Sequence, residues 1–205
     1  MEEEKKGLQA KAGGDESRII TSTRKGDRGK TRLLSGEKVS KSHLRIEVGG
    51  NLDESNAALG LAKALTKNET IRSTISVIQK HLIILGGEIS SGGPGGLSTR
   101  IEEEHIAQLE QWIESLQKAA PLPRRFVDPG ANPVSAALDL ARSIIRRLER
   151  SMVLLEESSP STRQQAMSYV NRLACLVFTL ARYAEKFEQP EPGETNATRR
   201  PAPDD

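Results

Sequence analysis

Five stretches of helical periodicity between residues 51 and 187 constrain this chain more than any other feature. From 69 to 89, Ile71, Ile75, Ile78, Leu82 and Leu85 recur at spacings of three and four, which puts them on one face of a helix. From 101 to 118, Ile101, His105 and Ile106, Leu109, Trp112 and Ile113, and Leu116 repeat the pattern behind an acidic first turn, as the helix dipole favours. Ala137, Ala141, Ile144, Ile145, Leu148, Met152 and Leu155 mark a fourth helix over 134–157. Leu173, Val177, Leu180 and Ala184 mark a fifth over 162–187, and Leu52, Leu59, Ala62 and Leu65 a weaker first over 51–67. Between them lie the breaker-rich SSGGPGG at 90–96 and AAPLPRRFVDPGANP at 119–133. Leu44, Ile46 and Val48 alternate too briefly for a sheet, so 32–50 is expected to be extended or irregular. The pattern predicts an all-α five-helix bundle.

Composition bounds what such a bundle can do. The 205 residues suit one domain, here 18–188, between polar tails at 1–17 and 189–205 that are expected to be disordered. With 30 basic and 28 acidic residues, the net charge is +2, too balanced for general nucleic-acid binding. One cysteine excludes an intramolecular disulfide framework. No apolar run reaches the length of a membrane span, and the acidic start MEEE resembles neither a signal nor a transit peptide. A cytoplasmic protein without membrane or nucleic-acid partners is expected.

Chemistry-bearing residues cluster in three places. The segment 21–31, TSTRKGDRGKT, gathers glycines, hydroxyls and cations ahead of the helices and can surround a polyanion. Its GKT invites a P-loop reading, but Arg24 stands where the first glycine is required, and no parallel-sheet pattern follows. A solvated basic linker and a different kind of anion loop both remain open. In the fourth helix, Arg142, Arg146, Glu149 and Arg150 share one side. That is either a surface stripe with Arg146–Glu149 pairing or a planar, forked anion site, since arginine alone supplies the cations. In the fifth, Asn171, Cys175, Phe178, Arg182 and Glu185 form a stripe that faces solvent or a ligand. Asp53 and Glu54 suit the start of a helix. His43, His81 and His105 lack metal-ligand spacing, the lone cysteine is expected to be packed, and no protein metal site is predicted.

The order and spacing of these blocks resemble the PduO-type ATP:cob(I)alamin adenosyltransferases over about residues 19–187. TRKGDRGKT at 23–31 looks like that family's T-R-T-G-D-x-G-x-T loop, and GEKVSKSHLRIEVGGNLDESNAALGLA like its G-E-R-V-x-K…G-x-x-D-E-x-N block. FVDPGANP, ARSIIRRLER and YVNRLACLVFTLARY look like its remaining three motifs. The resemblance implies a homotrimer with active sites between subunits. It implies transfer of the 5′-deoxyadenosyl group of ATP to the Co(I) of reduced cobalamin, with triphosphate leaving. Thr23, Arg24, Lys25, Gly26, Asp27, Arg28, Gly29, Lys30, Thr31 and Arg32, with Lys41, would then wrap the triphosphate. Arg146 would contact phosphate, with Arg147, Glu149 and Arg150 completing that side, and Asn171 would bind the nucleotide. Asp53 would pair with Arg142 across the subunit boundary, and Phe126 would close the lower face of the corrin. Magnesium would accompany ATP. A corrinoid reductase and an adenosylcobalamin-dependent enzyme are implied as further partners. Lys25, Ala174, Cys175 and Glu185 depart from the family pattern, which leaves a non-catalytic carrier of the same fold as the alternative.

Overall fold

The computed structural model describes residue 24 and residues 26–91, 99–160 and 162–188. Thr23, Lys25 and both tails lie outside the described residues. Five helices carry the fold: α1 (Leu44–Leu65), α2 (Glu69–Ser90), α3 (Glu103–Ala119), α4 (Pro133–Ser158) and α5 (Gln164–Phe187). They follow a two-stranded antiparallel hairpin, β1 (Lys30–Arg32) and β2 (Lys38–Ser40), with Thr31 opposite Val39.

Local chemistry sets the helix starts. The Asn68 side chain accepts from the Ile71 amide at the head of α2. Asn132 and Ser135 cap each other at the head of α4, where Pro133 opens the first turn. The apolar stripes then meet. Ile71, Ile75, Ile78, Leu82 and Leu85 of α2 are fully buried, as are Ala141, Ile145, Leu148 and Met152 of α4 and Leu173, Val177 and Leu180 of α5. Each large aliphatic side chain so buried contributes about 1.5–3 kcal/mol relative to exposure. Helix α4 packs against both α1 and α5, while α3 packs against α5 and α2 against α1. The end of α5 is tied down from several sides. Asn132 Nδ2 donates to the Ala184 and Glu188 carbonyls at 3.1 and 2.9 Å. Glu188 Oε1 accepts from the Asn68 amide at 3.0 Å and from the Thr66 hydroxyl. No helix among the described residues is long and apolar enough to cross a membrane.

Two expectations for the first half need correction. Residues 32–50 are not irregular throughout. The chain turns at Gly36 (φ 86°) between β1 and β2, and α1 begins at Leu44 rather than at 51. Gly49 and Gly50 lie within the helix, which His43 Nδ1 caps by accepting from the Arg45 amide. Val48 and Leu52, one turn apart, are both buried, and this packing outweighs roughly 1 kcal/mol per glycine of lost propensity. The first turn of α3 is capped by Glu102, whose own amide donates to His105 Nδ1 at 3.0 Å.

Candidate functional site

Two cationic surfaces stand out, and they lie on different parts of the fold. The first is the loop ahead of β1. Gly29 (φ 70°) and Arg24 (φ 56°) both take left-handed backbone, a conformation that costs a residue such as arginine about 1–2 kcal/mol. The loop closes on itself through Asp27 N to Arg24 O and Gly29 N to Gly26 O, at 3.3 and 3.1 Å. Lys41 is drawn over it. Its amide donates to the Gly29 carbonyl at 2.9 Å, and a Cβ at Gly26 would meet Lys41 Nζ at 3.1 Å. Arg24, Gly26, Asp27, Arg28, Lys30, Thr31, Arg32 and Lys38 line an open cavity of about 980 Å³. Arg32 is partly engaged, since its Nη1 donates to the Gly36 carbonyl at 2.9 Å.

The second surface is a pocket of about 240 Å³ between α4 and α5, lined also by Gln117 of α3 and by Leu122. Arg142, Arg146 and Glu149 line it from α4, and Asn171, Ala174, Cys175, Phe178 and Thr179 from α5. Asn171 Nδ2 donates to Glu149 Oε1 at 2.8 Å, so the surface reading of an Arg146–Glu149 pair does not hold. Among the described residues, no acid engages the guanidinium of Arg142 or Arg146. That of Arg142 rests 5.0 Å from the Phe178 ring centroid. Unpaired arginines in a concave pocket are what an anionic ligand requires.

Several sequence-selected residues fall elsewhere. Arg147 turns away from the pocket to α1, donating to Asn51 Oδ1 at 3.0 Å and to the Glu54 carboxylate. The i, i+1 step from Arg146 rotates it about 100° around the helix. Arg150 is exposed and donates to the Arg146 carbonyl at 3.1 Å. Asp53 is exposed on α1. Neither Arg150 nor Asp53 lines the pocket. Cys175 is an exposed pocket residue, whereas a packed one was expected. Arg182 leaves the stripe altogether. It is 5% exposed and ion-paired to Asp139 and Glu185 at 2.7 and 2.8 Å. Burial raises the Glu185 carboxyl above its ordinary range, against the pull of Arg182. Phe126 stands fully exposed on the connection that also supplies Leu122. Gln117, Leu122 and Thr179 were missed. Only Leu122 had a signal, the Pro-rich segment around it.

The histidines are structural. His81 is buried, with Nδ1 3.2 Å from the Tyr169 hydroxyl and its ring 4.6 Å edge-on to His105. Burial, helped by His105, lowers it to about 4. Among the described residues, no group of three His, Cys, Asp or Glu side chains is placed to hold a metal ion.

Comparison with known proteins places this geometry. The cobalamin adenosyltransferase family model matches residues 21–184. A corrinoid adenosyltransferase of Citrobacter freundii is 39% identical over 166 residues, 80% of this chain and 93% of the relative. The corrinoid adenosyltransferase PduO of the same organism is 39% identical over 162 residues, and there the match spans 48% of the relative's length. Among solved structures, a variant PduO-type ATP:corrinoid adenosyltransferase from Lactobacillus reuteri, complexed with cobalamin and ATP, superposes with a TM-score of 0.76 at 28% identity. It covers 82% of this chain and 92% of that one. The chain belongs to the cobalamin adenosyltransferase family. It is an enzyme that transfers adenosyl groups.

Proposed function

We propose that this chain is an ATP:cob(I)alamin adenosyltransferase whose site is completed between neighbouring copies. The observation that carries the reading is the α4–α5 pocket, with Arg142 and Arg146 free of acid partners beside Asn171. The Co(I) of the reduced corrinoid substrate attacks C5′ of ATP. Its electron pair becomes the Co–C bond, and the C5′–O pair leaves on triphosphate. Co(I) carries no proton, so no general base is needed. The demand on the protein is electrostatic, because the leaving group gains negative charge in the transition state. Arg146 and the cations and amides of the 23–32 loop with Lys41 meet that demand. Asn171, held by Glu149, orients the nucleoside.

Magnesium fits as a passenger of ATP, because Asp27 is the one carboxylate among the described residues lining the loop cavity and such ions are held by one or two carboxylates plus phosphates. It would neutralise charge on the triphosphate there. Phe126, fully exposed, would serve as a cover for the corrin's lower face.

Among the described residues, loop and pocket share no lining residue within one chain. Asp53 and Arg142 both lack ionic partners among the described residues. Helices α1 and α4 expose Leu61, Leu65, Leu140 and Leu154, apolar area available for burial in a closed assembly. A homotrimer with the loop of one subunit facing the α4–α5 pocket of the next accounts for all three. The test mixes two inactive variants, Lys30→Ala and Arg146→Ala, after dissociation and reassembly. Intersubunit sites predict recovery of about a quarter of the activity, since random assembly reunites the two intact halves at that frequency. No recovery would place the whole site within one chain.

A further inference from the structure

We infer that Phe178 is a positioning residue for Arg142, held in place by the buried Arg182–Asp139–Glu185 cluster. The inference rests on the assignment of Arg142 to the site made above. Two guanidiniums meet one ring: those of Arg142 and Arg182 each lie 5.0 Å from the Phe178 centroid. Their surroundings differ sharply. Arg182 is buried; its Nη2 donates to Asp139 Oδ2 at 2.7 Å and lies 2.8 Å from Glu185 Oε1, an ionic contact without hydrogen-bond geometry. Its Nε has no hydrogen-bond partner among the described residues, and the π face of Phe178 is a further electron-rich neighbour of that cation. Arg142 is half-buried at the pocket wall and has no acid among the described residues. Its guanidinium lies against the Phe178 ring instead.

A free arginine samples many rotamers, and freezing it on binding costs affinity. A cation lying against an aromatic ring is attracted by the ring quadrupole. The ion-paired Arg182 steadies the ring, and the ring steadies the Arg142 cation at the pocket wall. Phe178 thus preorganises Arg142 before ligand or partner arrives. Neither Phe178 nor Arg182 need touch the reacting atoms for this.

A double-mutant cycle between Phe178→Leu and Arg142→Met tests the proposal, with kcat and KM for ATP measured by formation of alkylcobalamin. Phe178→Leu is expected to lower kcat/KM by between about twofold and thirtyfold, the span of a cation–π contact from exposed to desolvated. In the Arg142→Met background the same change is expected to do little. Losses that simply multiply would overturn the proposal, since independent sites behave so. Full activity in Arg142→Met alone would overturn both the proposal and the role of Arg142, which separates that failure from multiplying losses. Should Phe178→Leu not fold, mono-, di- and trifluorophenylalanine at 178 keep the shape while draining the ring face. A stepwise fall in kcat/KM supports the proposal, and an unchanged value across the series overturns it.

Discussion

Arg146→Ala and Arg147→Ala differ by one position, and the account predicts opposite outcomes for them. The Arg146 side chain is exposed in the α4–α5 pocket without an acid partner among the described residues. Its removal breaks no ion pair or side-chain hydrogen bond among the described residues and should change stability by no more than about 0.5 kcal/mol, as for ordinary surface substitutions. If it meets the charge developing on triphosphate, its loss should lower kcat by about 10²–10³, the scale of about 2.7–4 kcal/mol seen when one oxyanion donor is removed. Arg147 binds Asn51 and Glu54 of α1 through a pair whose side chains are 45% and 51% exposed. Its removal should cost no more than about 1 kcal/mol of stability and leave kcat within about threefold. Turnover is followed by the absorbance change from reduced cobalamin to alkylcobalamin with ATP, and stability by thermal melting. Full turnover of Arg146→Ala, or loss of turnover in Arg147→Ala with an unchanged melting curve, would refute the reasoning.

Three further outcomes follow from the same structure. Arg182→Met leaves the Asp139 and Glu185 carboxylates without their cation, so it should lower stability by about 3–5 kcal/mol; a melting temperature within two degrees of the parent, read by calorimetry, would contradict this. His81 is held neutral in the fold, at about 4 against an ordinary value near 6.5. The folded state therefore resists a proton that the unfolded chain accepts. Stability is full above about pH 6.5 and falls between 6.5 and 4, by up to about 3 kcal/mol, and His81→Gln should flatten that window of the melting profile. Phe126→Ala removes a side chain that touches no core, since it is fully exposed; melting should not move, while the rate of adenosylation should drop at least tenfold, and an unchanged rate would remove Phe126 from the site.

The periodic apolar stripes made α2 to α5 legible to within a few residues, because burial on one face imposes the 3.6-residue repeat directly. The start of α1 was not legible. Gly49 and Gly50 hide a turn whose stability comes from the His43 cap and from Val48 and Leu52, and neither glycine is forced by any close approach. Within the site, spacing grouped Arg142, Arg146 and Glu149 on α4 and Asn171, Cys175 and Phe178 on α5, since i, i+4 and i+7 positions share a helix face; that the two stripes meet in one pocket comes from the packing of α4 on α5. Spacing misled at Arg182, because the residue that draws it inward, Asp139, lies 43 positions away on another helix. Arg147 came from the family resemblance and not from spacing, and its side chain turns to Asn51 and Glu54 on α1. The loop's curl, set by Gly29 and by Lys41 folded over Gly26, has no signature in hydrophobic pattern at all.

The most direct test of the central claim is the unmodified chain mixed with ATP, magnesium and chemically reduced cobalamin under anaerobic conditions. The account predicts the spectrum of a light-sensitive alkylcobalamin and release of one intact triphosphate per cobalt alkylated. Tight cobalamin binding without that spectrum would make the protein a carrier, and phosphate or diphosphate in place of triphosphate would contradict attack at C5′.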